Sequence, residues 1–533
     1  MQRWSLHLLT LLLILAVLAG VPGGSGALSI AAQSDPAPPN IILILTDDQD
    51  AASASTMPGL RDSMMRAGTT FTNAFVTTPL CCPSRASILR GQYAHNHGVR
   101  TNANGARRFR QVGSAQSTIA TWLHEAGYRT AYMGKYLNGY DVREPIPPGW
   151  DVWHSPVGGS FYKGYDYQLN ENGQLVSYSG EYLTDVLARK AVEFVQQTDG
   201  PFFLHLATAA PHLPAPFAAR HQNLFRTDRA PRLPAFNEAD VSDKPAWVRS
   251  LPALSARAAT RVDKFHRRRL RSLAAVDEML VGLLQALEAS GKLGNTYIIF
   301  TSDNGFLQGQ HRIPYGKDAP YEESIRVPLI VRGPGIPVAT RSELALNIDL
   351  APTMAEWAGV QAPDFVDGRS LGPLLRGESP AWRQVFLIED WTGGPYKVPP
   401  YTGMRMADLK YVRYATGEEE FYDLAADPNE LENGQARLSS SLRWLLADRL
   451  AALSTCAGAS CRAIDGGPPA PVPTGTATPT PSAIPTATET AVETATATET
   501  PAEGATPTVT ETPVEDATPT ATPDGVPAPA AQP

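Results

Sequence analysis

Residues 40–45 read NIILIL, an apolar run rich in branched side chains. A strand without the usual alternation of apolar and polar residues is typical of a parallel sheet that helices cover on both faces. Four further apolar segments have the same character, and helical patterns lie between them. Strands that alternate with helices predict an α/β fold with crossover connections. The further strand candidates are 130–133, 202–206, 297–301 and 327–331, and the helix candidates are 118–126, 182–197 and 267–290.

The pattern changes past about residue 380. Short strands interrupted by polar residues follow one another there, as expected for a small antiparallel sheet, and a helical segment comes after them. We therefore predict a larger α/β domain at 36–380 and a smaller sheet-plus-helix subdomain at 381–462. The strand candidates of the subdomain are 385–388, 402–406, 409–414 and 420–423, and its helix candidate is 441–453.

Both ends of the chain differ in composition from the rest. Residues 1–27 combine Arg3 with a short apolar run and small residues, which is typical of a secretory signal peptide; a retained anchor is the alternative. Residues 466–533 are rich in Thr, Pro and Ala and lack the apolar side chains of a packed core, so we expect an extended, disordered tail. Because disulfides persist in exported proteins, we also expect a bridge between Cys456 and Cys461.

The charge distribution excludes some classes of protein. The net charge is −8, and the eight acidic residues of the tail, which has no Lys or Arg, account for all of it. The rest of the chain therefore has no net charge, which argues against a nucleic-acid-binding protein. Four cysteines are too few for a disulfide scaffold. No later apolar run is long enough to span a bilayer, so we predict no integral membrane segment in the mature chain and a secreted or cell-surface location.

Acidic and amide side chains follow two of the predicted strands. Asp47 and Asp48 come directly after the first strand, and Asp303 and Asn304 follow the strand at 297–301. Ligands bind at the carboxyl ends of strands in open α/β sheets. Adjacent carboxylates repel unless a cation lies between them, and Asp and Asn oxygens suit Ca²⁺ or Mg²⁺ rather than zinc. The sequence therefore predicts an all-oxygen cation site, with solvated turns as the alternative.

Residues 81–91, CCPSRASILRG, form the most informative segment for chemistry. Pro83 suits the first turn of a helix, which places Cys81 at the helix N-terminus. There the helix dipole favours a thiolate or an anion. Adjacent cysteines do not readily bridge each other, and zinc would require more Cys or His at ligand spacing. From these residues alone, an activated cysteine and a pair of buried structural cysteines both stay open.

The segment 81–85 matches C-x-P-S-R, and in it the chain resembles the type I sulfatases, in which the first cysteine is converted to Cα-formylglycine. The resemblance covers about 39–427 and is closest in motif to N-acetylglucosamine-6-sulfatases and their bacterial relatives. It implies an alkaline-phosphatase-like fold, with a mixed, mostly parallel sheet flanked by helices and a smaller C-terminal antiparallel subdomain. The other segments that resemble family motifs, in the family's order, are 40–48, 134–138, 211–212, 302–305 and 316–317.

The resemblance also implies a cation and a nucleophile. Ca²⁺, with Mg²⁺ as the alternative, would be bound by Asp47, Asp48, Asp303, Asn304 and the modified Cys81. The aldehyde at position 81 would be hydrated to a diol, of which one hydroxyl attacks sulfur and the second eliminates the sulfate. An unmodified cysteine could not regenerate itself in this way.

Four further residues would complete this chemistry by resemblance. Arg85 would orient the diol. Lys135 and Lys317 would neutralise charge on the sulfuryl oxygens. His212 would protonate the leaving oxygen or hold the sulfate ester.

Other segments leave their roles open. Leu137 stands where many sulfatases carry a histidine, and Asn138 is expected to form a hydrogen bond with the substrate in its place. His311 lies close to Lys317 in sequence, so we predict that it lines the same pocket, with an ordinary structural role as the alternative. The basic run at 266–269 is interpreted as a solvated helix face. The aromatic residues at 161–167 fit either a sugar-stacking surface or a packed hairpin.

The leading hypothesis is an exported, Ca²⁺-dependent sulfatase acting on a carbohydrate sulfate ester such as 6-O-sulfated N-acetylglucosamine. Its partners would be that substrate and the separate enzyme that generates formylglycine. Two alternatives remain open. One is a phosphonate or phosphate ester hydrolase of the same superfamily, because sulfuryl and phosphoryl groups differ mainly in charge. The other is a non-catalytic surface protein that binds glycans.

Overall fold

The computed structural model describes residues 37–466, so the predicted signal peptide and nearly all of the predicted tail lie outside the described residues. Strand β1 (Asn40–Thr46) is buried along its whole length. It pairs in parallel with β8 (Phe202–Ala207) on one side and with β9 (Thr296–Ser302) on the other. Alternate apolar residues of β1 enter the hydrophobic cores on opposite faces of the sheet. The prediction of a strand covered on both faces is confirmed.

The large sheet is mixed and mostly parallel, as predicted. The other strands are β2 (Thr69–Phe71), β3 (Ala74–Phe75), β4 (Arg129–Gly134), β5 (Val152–Val157), β6 (Tyr167–Glu171), β7 (Gln174–Tyr178), β10 (Leu329–Arg332), β11 (Ala339–Arg341), β12 (Ala345–Leu346), β13 (Val385–Asp390), β14 (Tyr401–Met406), β15 (Leu409–Tyr414) and β16 (Glu419–Asp423). Ten strands form the large sheet in the order β11-β2-β10-β9-β1-β8-β4-β5-β6-β7, and β12 pairs with β3. The five strands from β9 to β5 are parallel, whereas β6, β7 and β10 are antiparallel to their neighbours.

Helices cover both faces of this sheet. The α-helices are α1 (Pro58–Ser63), α2 (Cys81–Arg90), α3 (Ala94–His97), α4 (Gly105–Gln111), α5 (Ile119–Glu125), α6 (Leu183–Gln197), α7 (Ala246–Arg249), α8 (Ala256–Ala289), α9 (Glu322–Ile325), α10 (Leu350–Trp357), α11 (Gly372–Leu375), α12 (Ser440–Thr455) and α13 (Ala459–Asp465). Side chains of α2, α5 and α10 join the core on one face. Side chains of α6 and α8 join the core on the other. This is the crossover arrangement that the alternating pattern predicts.

The C-terminal strands form the small antiparallel sheet that the sequence predicts. Its order is β13-β14-β15-β16. Leu442, Leu446 and Leu450 of α12 lie on one side of that helix and pack into the same core as the sheet. Just beyond α12, Cys456 and Cys461 are joined by a disulfide, as expected. The domain boundary at residue 380 stays a prediction.

The longest helix begins earlier than its predicted start at Arg267. Helix α8 begins at Ala256, and the Ser255 side chain caps it by accepting a hydrogen bond from the Ala258 amide. The first turns carry few apolar residues, so their hydrophobic periodicity is weak even though Ala and Arg favour helix. Among residues 37–466, no helix is long and apolar enough to cross a membrane.

A buried ion-pair group joins the sheet region to the C-terminal helices. The guanidinium of Arg383, which precedes β13, donates to Asp349 Oδ1 at 2.7 Å and to Asp465 Oδ2 at 3.1 Å. Asp349 precedes α10, and Asp465 is the last residue of α13. Arg383 and Asp349 have no solvent-exposed side-chain surface. Loss of the arginine would therefore leave the buried Asp349 carboxylate without its counter-charge, whereas Asp465 would keep its ion pair with Arg369.

We predict that Arg383→Leu lowers the free energy of unfolding by about 3–5 kcal/mol, because it leaves uncompensated buried charge. The control is Arg376→Leu, which removes exposed ion pairs with Glu356 and Glu378 and should cost no more than about 1 kcal/mol. Urea denaturation followed by circular dichroism measures both changes. Equal midpoints for the two variants would contradict the prediction.

Candidate active site

The parallel register of β1 and β9 brings the four predicted oxygen donors together. Thr46 pairs with Ser302, so Asp47 and Asp48 leave β1 beside the point where Asp303 and Asn304 leave β9. The Asp48 amide donates to Asp303 Oδ1 at 3.0 Å, and the Asn304 amide nitrogen Nδ2 lies 2.7 Å from Asp48 Oδ1. All four side chains are buried. The predicted cation-binding residues therefore form one cluster.

Cys81 lies against this cluster at the start of α2. It is the first residue of the helix, where the backbone amides and the helix dipole favour negative charge. Its Sγ atom is 3.5 Å from Asp47 Oδ1 and 3.9 Å from Asp48 Oδ1. Asp47, Asp48, Cys81 and His212 each bring one potential ligand atom within 4.8 Å of the others. The predicted nucleophile is therefore adjacent to the predicted cation site.

Two lysines approach the cluster from different segments of the chain. Lys135 follows β4, and its Nζ donates to Asp47 Oδ2 at 2.6 Å. Lys317 Nζ lies 2.6 Å from Cys81 Sγ and also donates to the Asp48 carboxylate. Gly134 precedes Lys135 at a φ of +107°, and a Cβ atom there would come 1.8 Å from the Ala207 carbonyl oxygen. Only glycine allows β4 to approach β8 this closely just before the lysine.

Arg85, one turn into α2, links the cysteine helix to the acidic cluster. Its Nε donates to Asp303 Oδ2 at 2.8 Å, and its NH1 donates to the Lys135 carbonyl oxygen at 2.5 Å. Its NH2 group lies 3.8 Å from Asp47 Oδ2 and has no hydrogen-bond partner among the described residues. The guanidinium thus links α2 to the segments that follow β9 and β4, and its NH2 group remains a free donor beside Asp47.

His212 faces the cluster through one ring nitrogen. Its Nδ1 donates to the Leu213 carbonyl oxygen at 2.7 Å, which leaves Nε2 3.7 Å from Asp48 Oδ2. Its ring packs on Tyr162, with 4.5 Å between ring centroids. Burial lowers the pKa of His212 to about 3, although Asp48 opposes the shift. The imidazole is therefore neutral near pH 7, and Nε2 can accept a proton or a hydrogen bond.

The charged groups of the site shift one another's pKa values. Burial lowers the pKa of Lys135 and Lys317, but Asp47 and Asp48 respectively outweigh it, and both pKa values are raised. Burial raises the pKa of Asp48, yet Lys317 and His212 reverse the effect and hold it below its usual range. Burial raises the pKa of the Cys81 thiol despite the two lysines. An unmodified cysteine here is therefore a poor nucleophile at neutral pH.

The donor set fits an oxygen-liganded divalent cation. Asp47, Asp48 and Asp303 supply carboxylates, and Asn304 Oδ1 is buried with no hydrogen-bond partner among residues 37–466. A buried amide oxygen without a partner is costly unless another group, such as a cation, binds it. Hard oxygen donors favour Ca²⁺ or Mg²⁺.

A small cavity opens beside Lys135. Its volume is about 150 Å³, and its lining includes Lys135, Leu137, Asn138, Phe161 and Tyr162. Asn138 is partly buried, and its Oδ1 has no hydrogen-bond partner in the described part of the chain. Asn138 therefore belongs to the cavity wall, and its contact with the substrate stays a prediction.

His311 lies in a different environment from the predicted pocket. Its contacts are with Glu238, at 2.7 Å from Nδ1, and with the ring of Tyr321, at 3.9 Å between centroids. Its potential ligand atom groups with Glu323 and Glu430, not with Asp47 and Asp48. No hydrogen bond or ring contact in the described structure joins it to the Cys81 cluster.

Sequence reasoning missed the role of Arg269. The run 266–269 was interpreted as a solvated helix face, and this is wrong for His266 and Arg269, which are buried. Arg269 donates to the Asp48 carbonyl oxygen at 2.6 Å and to Asp50 Oδ2 at 3.0 Å. It therefore helps to fix the backbone turn that carries Asp48. The two buried residues are three apart on one helix face, and this spacing was the available signal.

The architecture is that of the alkaline-phosphatase-like hydrolases, whose solved members align with most of the described chain. Within that class, the family model named Sulfatase matches residues 39–360, and one named N-sulphoglucosamine sulphohydrolase, C-terminal, matches residues 309–454. The chain therefore belongs to the sulfatase family and is a sulfuric ester hydrolase.

Three known proteins illustrate the similarity. Human N-acetylglucosamine-6-sulfatase is 34% identical over 501 residues, covering 84% of this chain and 90% of that protein. A putative extracellular sulfatase Sulf-1 homologue from Caenorhabditis elegans is 40% identical over 366 residues, or 66% of this chain, which spans only 51% of that protein. A solved structure in complex with its substrate D-glucosamine-2-N,6-O-disulfate is 28% identical, with a TM-score of 0.69, and covers 78% of this chain and 97% of that one.

We predict that Ca²⁺ binds at the acidic cluster and that Asp48→Asn weakens binding by roughly 100-fold or more, because one carboxylate ligand and its charge are lost. The control is Asp62→Asn, which alters an exposed carboxylate that pairs with Arg61. Calorimetric titration of EGTA-stripped protein measures the affinity. Wild-type affinity in Asp48→Asn would place the cation elsewhere.

Proposed function

We propose that this chain is an exported, Ca²⁺-dependent sulfatase that uses a formylglycine at position 81 to release the 6-O-sulfate of N-acetylglucosamine-type sugars. The observation that carries the proposal is the position of Cys81 Sγ, within 4 Å of Asp47, Asp48 and Lys317 atoms at the start of a helix. A reactive group there would meet both a cation and a sulfate ester. An unmodified thiol would be a weak nucleophile here, because burial raises its pKa.

The residues around Cys81 suit transfer of a sulfuryl group. The cation, held by Asp47, Asp48, Asp303 and Asn304, would supply charge stabilisation, and formylglycine would supply the nucleophile. Lys135 and Lys317 bring two fixed ammonium groups to the position where the sulfuryl oxygens gain charge, and such preorganised groups favour the transition state.

Proton transfer falls to His212 in this proposal. Its imidazole is neutral and fixed by the Leu213 carbonyl, so Nε2 faces the reacting groups in one tautomer. A bound sulfate ester would bring negative charge next to Nε2 and so favour its protonation from solvent, and the imidazolium would then donate this proton to the leaving sugar oxygen. Tyr162 packs on the ring and limits its rotation. Leu137 occupies the position of the histidine expected by resemblance, which leaves His212 as the proton donor in this proposal.

The substrate proposal is supported by the similar proteins. One is named N-acetylglucosamine-6-sulfatase and another was solved with a 6-O-sulfated glucosamine. The cavity beside Lys135 is lined by the Asn138 amide side chain and the ring of Tyr162, which bring a polar group and an apolar face to it. Sugars present hydroxyl donors and apolar ring faces, so this lining fits a carbohydrate leaving group.

Export and maturation are part of the same proposal. The composition of residues 1–27 supports secretion, and relatives named extracellular sulfatases are consistent with it. The C-x-P-S-R segment would be the recognition site of the formylglycine-generating enzyme, which acts as a transient partner.

We predict that Cys81 is converted in a host that contains the formylglycine-generating enzyme. Replacement of the thiol by an aldehyde lowers the mass of the tryptic peptide ending at Arg85 by about 18 Da, whereas ordinary cysteine oxidation adds mass. Mass spectrometry of that peptide measures the change. Protein from a host without the enzyme is the control and should retain the thiol mass and lack activity. Full sulfate hydrolysis by Cys81→Ala would contradict the mechanism.

We predict that Lys317→Ala lowers kcat for sulfate release from 6-O-sulfated N-acetylglucosamine by about 10²–10³. The substitution removes one of the two ammonium groups that would stabilise negative charge on the sulfuryl oxygens. Lys163→Ala, which removes an exposed lysine, is the matched control and should retain wild-type kcat. Free sulfate is measured by ion chromatography.

The same assay distinguishes the alternatives. Faster hydrolysis of an aryl phosphate or phosphonate than of the matched aryl sulfate would favour the hypothesis of a phosphonate or phosphate ester hydrolase. If formylglycine-containing protein binds glycans in the presence of calcium but does not hydrolyse them, the hypothesis of a non-catalytic glycan-binding protein would be favoured.

A further inference from the structure

His311 is placed like a metal-binding histidine. It has no exposed surface, and its Nδ1 is hydrogen-bonded to Glu238 Oε2 at 2.7 Å. Its Nε2 is buried and has no hydrogen-bond partner among residues 37–466. In metal sites, a carboxylate that binds one ring nitrogen fixes the tautomer and directs the other nitrogen to the ion. The Glu238–His311 pair has this arrangement.

Two carboxylates share the space with His311. Glu323 in α9 and Glu430 after β16 each bring one oxygen to within 4.8 Å of the His311 ligand atom and of each other. Since Nδ1 is occupied by Glu238, Nε2 is the ring atom free to complete this group. Glu430 is itself held by Lys410 Nζ at 2.6 Å and by the Glu322 amide at 2.8 Å. Hydrogen bonds of this kind orient ligating carboxylates and leave lone pairs free for a cation.

The local charges leave one carboxylate without a cationic partner. Glu238 pairs with Lys244 at 3.0 Å, and Glu430 pairs with Lys410. Glu323 makes no ion pair with any Lys or Arg in the described part of the chain. The Glu323 oxygen therefore approaches Glu430 without a Lys or Arg of its own between them.

We propose that His311 Nε2, Glu323 and Glu430 bind a second metal ion, separate from the cation at Asp47 and Asp48, and that this ion is Zn²⁺. One imidazole and two carboxylates form a three-ligand protein set, to which water can add a fourth ligand. Imidazole nitrogen favours zinc over Ca²⁺ or Mg²⁺, which prefer oxygen alone. Ligands on tetrahedral zinc lie roughly 3.3 Å apart, so the group must contract, and the partly exposed Glu323 side chain can supply that movement.

The position of this site gives it a consequence for the catalytic region. His311 and Glu323 bracket the chain segment that carries Lys317, whereas Glu430 belongs to the C-terminal sheet region. A metal bound to all three would tie both ends of that segment to the C-terminal strands. It would therefore hold in place the backbone from which Lys317 reaches Cys81.

The test measures zinc content. Full-length protein without a histidine tag is equilibrated with micromolar ZnCl₂ in excess Ca²⁺, desalted, and analysed by mass spectrometry for metal content. Wild type should retain one zinc per chain more than His311→Gln and Glu323→Gln. His124→Gln, which changes an exposed histidine paired with Asp151, is the control and should match wild type. Zinc should also raise the melting temperature of wild type by several degrees and leave both site variants unchanged.

Comparison between variants removes any contribution from zinc at Cys81, because that cluster is the same in all of them. Glu323→Gln decides the result if His311→Gln does not fold, since Glu323 is partly exposed. Equal zinc content in wild type and Glu323→Gln, or no zinc in wild type, would overturn the proposal. Sulfate hydrolysis is not a readout, so this result is independent of the proposed function.

Discussion

The pairing of β1 with β9 is the constraint on which the site depends. Their parallel register delivers Asp47, Asp48, Asp303 and Asn304 to one point at the edge of the sheet. So much buried negative charge is stable only with counter-charge and hydrogen bonds. The rest of the site supplies them: Arg85 from α2, and the two lysines from the ends of other segments. The strands thus define where the acidic side chains lie, and the surrounding Arg and Lys side chains compensate their buried negative charge.

The same electrostatics suits an anionic substrate. A sulfate ester carries negative charge into a water-poor site, where fixed ammonium and guanidinium groups interact strongly with it. The lysines contact carboxylates in this structure, and a divalent cation would compete with them for those oxygens. In the proposed function, the acidic cluster would bind the cation, and the lysines and Arg85 would bind the sulfuryl oxygens.

The segment between His311 and Glu323 connects the two polar clusters of the chain. Its middle carries Lys317, which reaches Cys81, and its ends face Glu238 and Glu430. The C-terminal strands therefore do more than cover the large sheet. Lys410 of β15 donates to the Pro320 carbonyl oxygen, and the Tyr321 hydroxyl donates to Glu420 of β16, so the small antiparallel sheet contacts the end of the segment that carries Lys317.

Strands β1, β4, β8, β9 and β10, the four strands of the small sheet, the strand ends that carry acidic residues and the helix that begins near Cys81 could be predicted from the sequence, because periodicity, turn residues and motif spacing are local. Strands β2, β3, β5, β6, β7, β11 and β12 are not among the predicted strands, because they are short or interrupted by polar residues. Tertiary structure alone decided that His311 faces Glu323 and Glu430, that Arg269 supports Asp48, and that Tyr162 packs on His212. Most of these contacts join segments far apart in the chain, and nothing in the local pattern specifies which buried side chain meets which. The sequence determined the groups available for chemistry, and packing of the sheet and its helices determined their neighbours.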